Sequence, residues 1–255
     1  MIPRILHQTW RDRAVPERWQ PLRASWRRHH PRWEHRFWTD ADLRRLVADH
    51  YPGFLRAYDA YEHPICRVDA ARYLLLHRHG GVYVDLDFEA LRPIDPLLAA
   101  GGVLFGEEPA SHRALPIVQR RPVPLRRLVC NAFIASEPAH PFWAHLLARI
   151  AARAHERDPL EATGPFLLSE SVEAWRGPAA VRVAPASQLY PLDKHEVQAG
   201  ALRVRGARSR LAREAFAVHH WGGSWIAAFQ AHERARRAAL AGAAPPISRG
   251  SPERI

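Results

Sequence analysis

The pattern of hydrophobic and polar positions predicts strands and helices that alternate along the chain. Short β-rich runs indicate strands, and apolar residues spaced three and four positions apart indicate helices. The predicted strands are 5–10, 36–38, 82–88, 103–105, 130–135, 181–184 and 216–221. The predicted helices are 16–29, a helix that begins at Thr39, 65–79, 141–157, 167–175 and 225–240. Alternation of this kind predicts an α/β fold in which helices flank a mostly parallel sheet.

Local signals set the predicted boundaries of these elements. Thr39 and Asp42 have the spacing of a capping box, which predicts the start of a helix. Residues 112–127, rich in proline and arginine, predict a loose loop, and residues 242–255 predict a disordered C-terminal tail. We therefore expect one folded domain over residues 1–241.

Composition places the chain among globular proteins. Of its 255 residues, 47% are hydrophobic and 25% are charged, which excludes wholesale disorder. No apolar run approaches the ~18 to 20 residues of a membrane-spanning helix, and the N-terminus lacks the long apolar segment of a secretory signal. Cys66 and Cys130 form neither a CxxC pair nor a zinc-binding spacing. We therefore expect a cytoplasmic protein without a disulfide framework or a zinc finger.

The formal net charge of +11 leaves several partners open. It suits nucleic acid, an anionic membrane surface or a phosphorylated substrate, and equally a solvated surface with no single partner. All but one of the 37 Lys and Arg residues are arginine, the exception being Lys194. The candidates for a peripheral contact with the inner face of a membrane are Arg113, Arg120, Arg121, Arg126, Arg127, Arg234, Arg236 and Arg237.

Several common enzyme motifs are missing from the sequence. The first predicted strand is not followed by G-x-G-x-x-G, and the chain has no G-x-x-x-x-G-K-[ST], which argues against a dinucleotide-dependent dehydrogenase and a P-loop NTPase. G-x-S-x-G is also absent, which argues against the usual α/β-hydrolase.

Two acidic residues end the apolar strand predicted at 82–88. Asp85 and Asp87 are two positions apart, so on a strand their side chains point to the same face. Like charges in a buried strand need compensation. A divalent cation such as Mg²⁺ or Mn²⁺ supplies it, because these ions prefer oxygen ligands. The alternative is a strand end at which both acids face water or nearby arginines.

The preceding helix carries a second candidate pair. Asp69 and Arg72 are three positions apart and therefore share one helix face. They form either a local ion pair or a binding pair, in which Asp69 accepts from sugar hydroxyls and Arg72 donates to a phosphate or a sugar.

These residues lie in motifs that resemble glycosyltransferase family 32. The run D-x-x-R-Y-x-x-L followed by G-G-x-Y-x-D-x-D is similar to the DXD sugar-binding region of that family, which includes yeast-type α-1,6-mannosyltransferases and bacterial capsular transferases. Four further stretches resemble family segments in the same order. They are residues 2–10 (IPRILHQTW), 131–142 (NAFIAS…HPF), 163–165 (TGP) and 219–225 (HHWGGSW).

The resemblance implies a GT-A fold, a single α/β domain with a Rossmann-like sheet. It also implies a retaining enzyme that uses Mn²⁺ or Mg²⁺ to move a hexose from GDP-mannose or a UDP-hexose to a glycan or lipid-linked acceptor. It names no catalytic base, so we expect attack on the front face of the sugar, with the leaving phosphate helping to deprotonate the acceptor. The alternatives are a basic, non-enzymatic protein that binds nucleic acid or a membrane surface, and a nucleotide-sugar hydrolase. With the transferase, no nucleic-acid partner is expected.

Individual roles follow from the resemblance. Asp87 is expected to bind the metal directly, and Asp85 to bind it or the sugar hydroxyls. His220 is expected to be the third ligand, with His219 as the second choice. Trp10 is expected to stack on the nucleobase, ordinary core packing being its alternative. The complete set of expected substrate-binding residues is Gln8, Trp10, Asp69, Arg72, Asp85, Asn131, Gly164, Ser224 and Trp225.

Overall fold

A six-stranded sheet forms the centre of residues 1–221. The computed structural model describes residues 1–223, 225–226, 229–231 and 233–236. The sheet strands are β1 (Ile5–Thr9), β2 (Glu34–Trp38), β3 (Gly81–Val84), β5 (Val103–Glu107), β6 (Val129–Ser136) and β7 (Val181–Ala184). Their spatial order is β2-β1-β3-β6-β5-β7. Strands β4 (Phe88–Ala90) and β8 (Ala217–His219) form a separate antiparallel pair.

Five of the six sheet strands run in the same direction. β1 is parallel to β2 and β3, and β5 is parallel to β7. β6 lies between β3 and β5 and is antiparallel to both. The predicted α/β class with a mostly parallel sheet is therefore confirmed.

Twelve α-helices lie within residues 1–221, and many are short. Three 3₁₀ helices (Glu17–Trp19, Ala110–Ala114 and Ala201–Arg203) accompany them. The α-helices are α1 (Gln20–His29), α2 (Asp40–His50), α3 (Pro52–Ala60), α4 (Pro64–His79), α5 (Asp95–Leu98), α6 (Pro116–Gln119), α7 (Phe142–Ala152), α8 (Pro159–Ala162), α9 (Pro165–Ala174), α10 (Ala186–Leu189), α11 (Lys194–Gln198) and α12 (Ala207–Leu211). The capping box predicted at Thr39 and Asp42 is present at the start of α2.

Both faces of the sheet are covered by apolar layers. Along β3, Tyr83 belongs to a core with α2, α4, α7 and α9, whereas Val82 and Val84 belong to a core with α1 and α10. This alternation is the period of two that a strand imposes on its side chains. A sheet buried on both faces explains why its strands are nearly continuous apolar runs.

Two adjacent glycines join α4 to β3. Gly80 and Gly81 have φ angles of +62° and +95°, which residues other than glycine rarely adopt. A Cβ atom on Gly80 would lie 2.7 Å from Pro138, and one on Gly81 would lie 2.6 Å from the carbonyl oxygen of Ile5. The turn therefore needs glycine at both positions to bring β3 close to β1.

The strand predicted at 82–88 is two strands in different sheets. β3 ends at Val84, β4 begins at Phe88, and the amide of Phe88 donates to the carbonyl of Asp85 at 3.1 Å across the turn between them. The regular pairing of β3 with β6 ends at Val84. One further hydrogen bond, from the amide of Asp85 to the carbonyl of Ala132 at 2.9 Å, still links the chain to β6. Asp85 and Asp87 thus occupy a turn, and the argument from a shared strand face is corrected.

The chain divides into two compact units, residues 1–221 and residues 222–255. In the second unit, residues 226, 229–231 and 233–236 are helical, within the helix predicted at 225–240. The tail predicted at 242–255 lies outside the described residues. Among the residues that are described, no helix is both long and apolar enough to cross a membrane.

Candidate active site

The aspartate turn lies at the edge of the sheet where the parallel strands end. Trp10 follows β1 and Asp85 follows β3, and these two strands are parallel neighbours. The antiparallel strand β6 begins at this same edge, which places Asn131 there as well. Ligands of open α/β sheets bind beyond the carboxyl ends of the strands.

Three side chains form a group that can hold a cation. Asp85, Asp87 and His219 each offer one ligand atom, and these atoms lie within 4.8 Å of one another. His219 reaches the turn because β8 pairs with β4, with His219 opposite Phe88. Its Nε2 atom is 3.1 Å from Asp87 Oδ1. Its Nδ1 atom is buried and has no hydrogen-bond partner in the described part of the chain. Two carboxylates and an imidazole fit a divalent cation such as Mn²⁺.

His220 lies on the other side of this strand end. Its Nε2 atom is 2.8 Å from Glu89 Oε2, and the other oxygen of Glu89 accepts from Arg208 Nε at 2.7 Å. Adjacent residues of an extended chain point to opposite sides, so one histidine faces the aspartates and the other does not. Of the two histidines, His219 therefore lies with the aspartates, whereas the His220 that the sequence favoured contacts Glu89.

The charges of this group shift its pKa values. Burial raises the pKa of Asp85, Arg72 opposes that shift, and Asp87 adds to it. Burial lowers the pKa of His219, but the neighbouring carboxylates, Asp87 first, outweigh it and raise the pKa above its usual value. Two close carboxylates thus meet partial compensation from a histidine, and a bound cation would complete it.

Asp85 is held by groups from β1, β3 and α4. The Tyr83 hydroxyl donates to Asp85 Oδ1 at 2.7 Å and is 3.1 Å from Thr9 Oγ1. The Arg72 guanidinium lies over the Tyr83 ring, 4.6 Å from its centroid, and its NH1 atom is 3.5 Å from Asp85 Oδ1. The carboxylate is therefore oriented without any ligand.

Asp69 and Arg72 form a buried ion pair. Arg72 NH2 is 3.0 Å from Asp69 Oδ1, and the residues are only 2% and 4% exposed for Arg72 and Asp69. Asn131 Nδ2 donates to Asp69 Oδ1 at 3.0 Å, and Thr163 Oγ1 donates to Asp69 Oδ2 at 3.4 Å. Burial raises the pKa of Asp69 to about 7, although Arg72 opposes the shift. The structure thus brings four of the predicted site residues together: Asp69, Arg72, Asn131 and Asp85. Their predicted contact with a substrate stays a prediction.

Gly164 has a packing role beside this network. A Cβ atom there would lie 2.8 Å from the carbonyl oxygen of Pro159, and Gly164 caps the start of α9. The neighbouring Thr163 makes the side-chain contact to Asp69. Three site residues, Thr9, Tyr83 and Thr163, are absent from the predicted binding set, although all three stand within the quoted motifs.

Gln8 and Trp10 carry side-chain donors for which the described part of the chain offers no acceptor. Gln8 Nε2 and Trp10 Nε1 are buried, and each lacks a hydrogen-bond partner among the described residues. Trp10 packs on an apolar cluster that includes Leu86, the residue between the two aspartates. Buried polar atoms without partners are uncommon in folded proteins, and a ligand beside the turn would satisfy them.

The two remaining predicted residues lie in the second unit. Ser224 is outside the described residues. Trp225 packs on Phe229 of its own helix, with ring centroids 5.9 Å apart. Their predicted contact with the donor stays a prediction.

The chain is similar to known glycosyltransferases. Residues 16–103 match the family described as the glycosyltransferase sugar-binding region containing a DXD motif. Inositol phosphoceramide mannosyltransferase 3 of Schizosaccharomyces pombe is 35% identical over 180 residues, which cover 69% of this chain and 46% of that protein. Mannosyl phosphorylinositol ceramide synthase SUR1 of Saccharomyces cerevisiae is 32% identical over 188 residues, 70% of this chain and 44% of that protein.

The chain therefore spans a little under half the length of these two relatives. Among solved structures, the PaToxG glycosyltransferase superposes with a TM-score of 0.48 and 16% identity, over 83% of this chain and 79% of that one. The predicted resemblance to DXD glycosyltransferases is confirmed: residues 16–103 of this chain match the DXD-containing sugar-binding region of that family.

Proposed function

We propose that the protein is a metal-dependent glycosyltransferase of the GT-A type, which moves a hexose from a nucleotide-sugar to a hydroxyl of its acceptor. The observation that carries this proposal is the group formed by Asp85, Asp87 and His219 in the turn of the DXD motif. The buried pair of Asp69 and Arg72 supports it, because it adds polar groups next to the same carboxylates.

Mannose is the first candidate for the transferred sugar. The two yeast relatives are named as enzymes that mannosylate an inositol-containing ceramide. We therefore infer GDP-mannose as the donor, with a UDP-hexose as the alternative. Mn²⁺ suits the mixed carboxylate and imidazole ligands better than Mg²⁺ does, because Mg²⁺ prefers oxygen ligands alone.

The residues of the chain have distinct roles in this proposal. Asp85, Asp87 and His219 would hold a divalent cation, and Tyr83 keeps Asp85 oriented through the 2.7 Å hydrogen bond. Such a cation would supply positive charge to the diphosphate and to the leaving nucleotide. The indole of Trp10 offers a surface for the nucleobase.

The stereochemical course is also part of the proposal. Retaining glycosidases place two carboxyl groups about 5 to 5.5 Å apart and use one as nucleophile. Here Asp85 and Asp87 would hold the proposed cation, which makes either of them an unsuitable nucleophile. We therefore infer front-face attack with retention, in which the leaving phosphate accepts the proton of the acceptor hydroxyl.

A glycolipid acceptor would bring the protein to a membrane surface. Arg113, Arg120, Arg126 and Arg127 are exposed around α6 and could meet an anionic surface. Arg121, expected to belong to this set, does not: its side chain is 4% exposed and pairs with Glu161 and Glu170. Three further candidates, Arg234, Arg236 and Arg237, follow later in the chain. Of these, Arg236 pairs with Glu233 at 2.9 Å, and Arg237 lies outside the described residues. We therefore propose that the exposed arginines around α6 contact the inner face of the membrane.

A nucleotide-sugar screen tests the function. We expect GDP-mannose to raise the thermal midpoint with Mn²⁺ present, because a ligand at 100 times its Kd stabilises the folded state by about 2.7 kcal/mol. Asp87→Asn should lose the Mn²⁺-dependent part of this shift and the transfer activity. Asp95→Asn, on a carboxylate that pairs with Arg4, is the matched control.

Two results would contradict the proposal. The first is the absence of a thermal shift with GDP-mannose and with each UDP-hexose, with and without Mn²⁺. The second is sugar release at the full turnover rate without an acceptor, which would identify a nucleotide-sugar hydrolase.

A further inference from the structure

Glu108 lies at the same sheet edge as the aspartate turn but has no role in the mechanism above. It directly follows β5, and β5 runs parallel to β3 because both are antiparallel to β6. The pairing of β5 with β6 shifts at this point: Phe105 is opposite Ile134, whereas Gly106 is opposite Cys130. Such irregularities redirect the side chains that follow and are frequent beside active sites.

A buried histidine holds one oxygen of this carboxylate. His112 Nδ1 is 2.7 Å from Glu108 Oε2, and His112 Nε2 is 3.1 Å from the backbone nitrogen of Lys194. Since the amide of Lys194 is a donor, Nε2 accepts and Nδ1–H donates to Glu108. His112 is 3% exposed and the Glu108 side chain 9%. The other oxygen, Oε1, accepts no hydrogen bond from any described residue.

One indole ring separates this pair from the cation group. The ring of Trp221 lies 4.6 Å from the ring of His112 and 4.3 Å from the ring of His219. Trp221 has a φ angle of +51°, which is rare for a large side chain, and its Nε1 atom donates to the carbonyl of Leu192 at 3.0 Å. Strained backbone held in place by such contacts is concentrated at functional sites.

The order of the strands indicates which substrate lies near Glu108. Across the edge of the sheet come Trp10 after β1, Asp85 after β3, Asn131 at the start of β6 and Glu108 after β5. A donor with its base at Trp10 and its diphosphate at the aspartates extends along this edge, which places its sugar toward β6 and β5. An acceptor that approaches the sugar from that side meets the end of β5, where Glu108 lies.

A structural role is the competing explanation. The pair could serve only to tie the start of α11 to the loop after β5, since Ser111 also bonds there, to Asp193 at 2.8 Å. That role uses the imidazole of His112 and requires no charge on Glu108. A glutamine at position 108 would satisfy His112 equally well, so the two explanations differ in a measurable way.

We propose that Glu108 binds the acceptor, its Oε1 atom accepting a hydrogen bond from an acceptor hydroxyl, and that His112 is a positioning residue that orients this carboxylate. This inference rests on the proposed transferase function. No proton is transferred to Glu108 in this assignment, because its role is to bind and align the hydroxyl.

Steady-state kinetics of Glu108→Gln test the assignment, with GDP-mannose, Mn²⁺ and inositol phosphoceramide in detergent micelles. We expect the acceptor KM to rise roughly 10- to 100-fold, the effect of losing a hydrogen bond to a charged group. The donor KM and the slow hydrolysis of GDP-mannose without acceptor should stay at wild-type values. His112→Gln should shift the acceptor KM in the same direction, and His112→Asn, which keeps a donor near the position of Nδ1, should restore it.

Glu107→Gln is the matched control, since it makes the same chemical change one residue earlier. An acceptor KM equal to that of the wild type in Glu108→Gln would overturn the assignment, as would an equal loss of donor hydrolysis and transfer, which would place Glu108 on the donor. Both comparisons require a wild-type protein that transfers mannose. A wild type that neither binds nor uses any nucleotide-sugar would instead overturn the proposed function, and this assignment with it.

Discussion

The hydroxyl of Tyr83 donates a 2.7 Å hydrogen bond to Asp85 Oδ1, two residues further along the chain. Tyr83→Phe removes this bond and keeps the buried ring on which Arg72 lies. We expect the affinity for Mn²⁺ to fall roughly 10- to 100-fold, because partners that orient a ligand affect metal binding to that extent. Calorimetric titration with Mn²⁺ measures the change. Tyr51→Phe, whose hydroxyl contacts Leu74 and His77, is the control, and equal affinities in the two variants would exclude the role.

The two adjacent histidines should differ in metal binding. His219→Gln removes a ligand atom 3.1 Å from Asp87, so Mn²⁺ binding should weaken by more than about tenfold. His220→Gln should leave the Mn²⁺ affinity near that of the wild type, because His220 contacts Glu89 instead. Calorimetric titration of both variants with Mn²⁺ shows which histidine contributes to metal binding. A larger loss in His220→Gln would restore the ligand that the sequence favoured.

The buried pair of Asp69 and Arg72 should show strong energetic coupling. Removing Arg72 leaves Asp69 as a buried carboxylate without its ion-pair partner, which typically costs about 3 to 5 kcal/mol of unfolding free energy. Removing Asp69 leaves Arg72 with Asp85 as its remaining carboxylate partner. The double variant Asp69→Ala/Arg72→Ala should lose less than the sum of the two single variants, both in stability and in donor affinity. Urea unfolding and donor titration of the four proteins complete the cycle. Losses that simply add would show that the two side chains act independently.

The pKa of Asp69 predicts a pH dependence of stability. Burial raises this pKa to about 7 from its ordinary 3.8, so between these values the folded chain retains a proton that the unfolded chain releases. The contribution of Asp69 to the unfolding free energy therefore falls as the pH rises through this window and is constant above it. Asp69→Asn cannot titrate and should flatten this part of the profile. Urea unfolding across the window measures it, and an unchanged slope in the variant would contradict the assignment.

Much of the fold could be predicted from local pattern. The strand at 181–184 and the capping box at Thr39 are present as expected. The run 82–88 was misassigned as one strand because Leu86 and Phe88 continue its apolar pattern. Leu86 instead packs in a cluster with Trp19 and Leu22, and Phe88 pairs with β8. Those partners are distant in sequence, so the break between β3 and β4 leaves no local signal.

The part of the site that could be predicted is the set of residues that stand in recognisable sequence motifs. Asp69, Arg72 and Asn131, which the motifs singled out, lie in one network beside Asp85. The choice between His219 and His220 depends on which one faces the turn, and the register of β8 decides that. Thr9 lies one residue from the predicted Trp10, but its contact with the Tyr83 hydroxyl depends on side-chain geometry across two strands. Contacts of that kind have no sequence signature.

The exposed arginines around α6 should mediate binding to anionic membranes. The backbone amides of Arg126 and Arg127 donate to Glu173, at 2.9 and 3.1 Å, and both residues are exposed. Each basic residue near an anionic surface contributes about 1 kcal/mol. The double variant Arg126→Gln/Arg127→Gln should therefore bind roughly 30-fold more weakly, since about 1.4 kcal/mol corresponds to a factor of ten.

Cosedimentation with phosphatidylserine-containing and with neutral liposomes, across a salt series, measures this binding. Arg56→Gln/Arg78→Gln makes the same change in net charge at exposed positions of α3 and α4, and it should bind as the wild type does. Because the attraction is electrostatic, binding should weaken as salt rises and be absent with neutral vesicles. Equal losses in the two double variants would assign the effect to net charge rather than to this surface. A wild-type protein that stays in the supernatant with anionic vesicles at low salt would exclude the membrane contact.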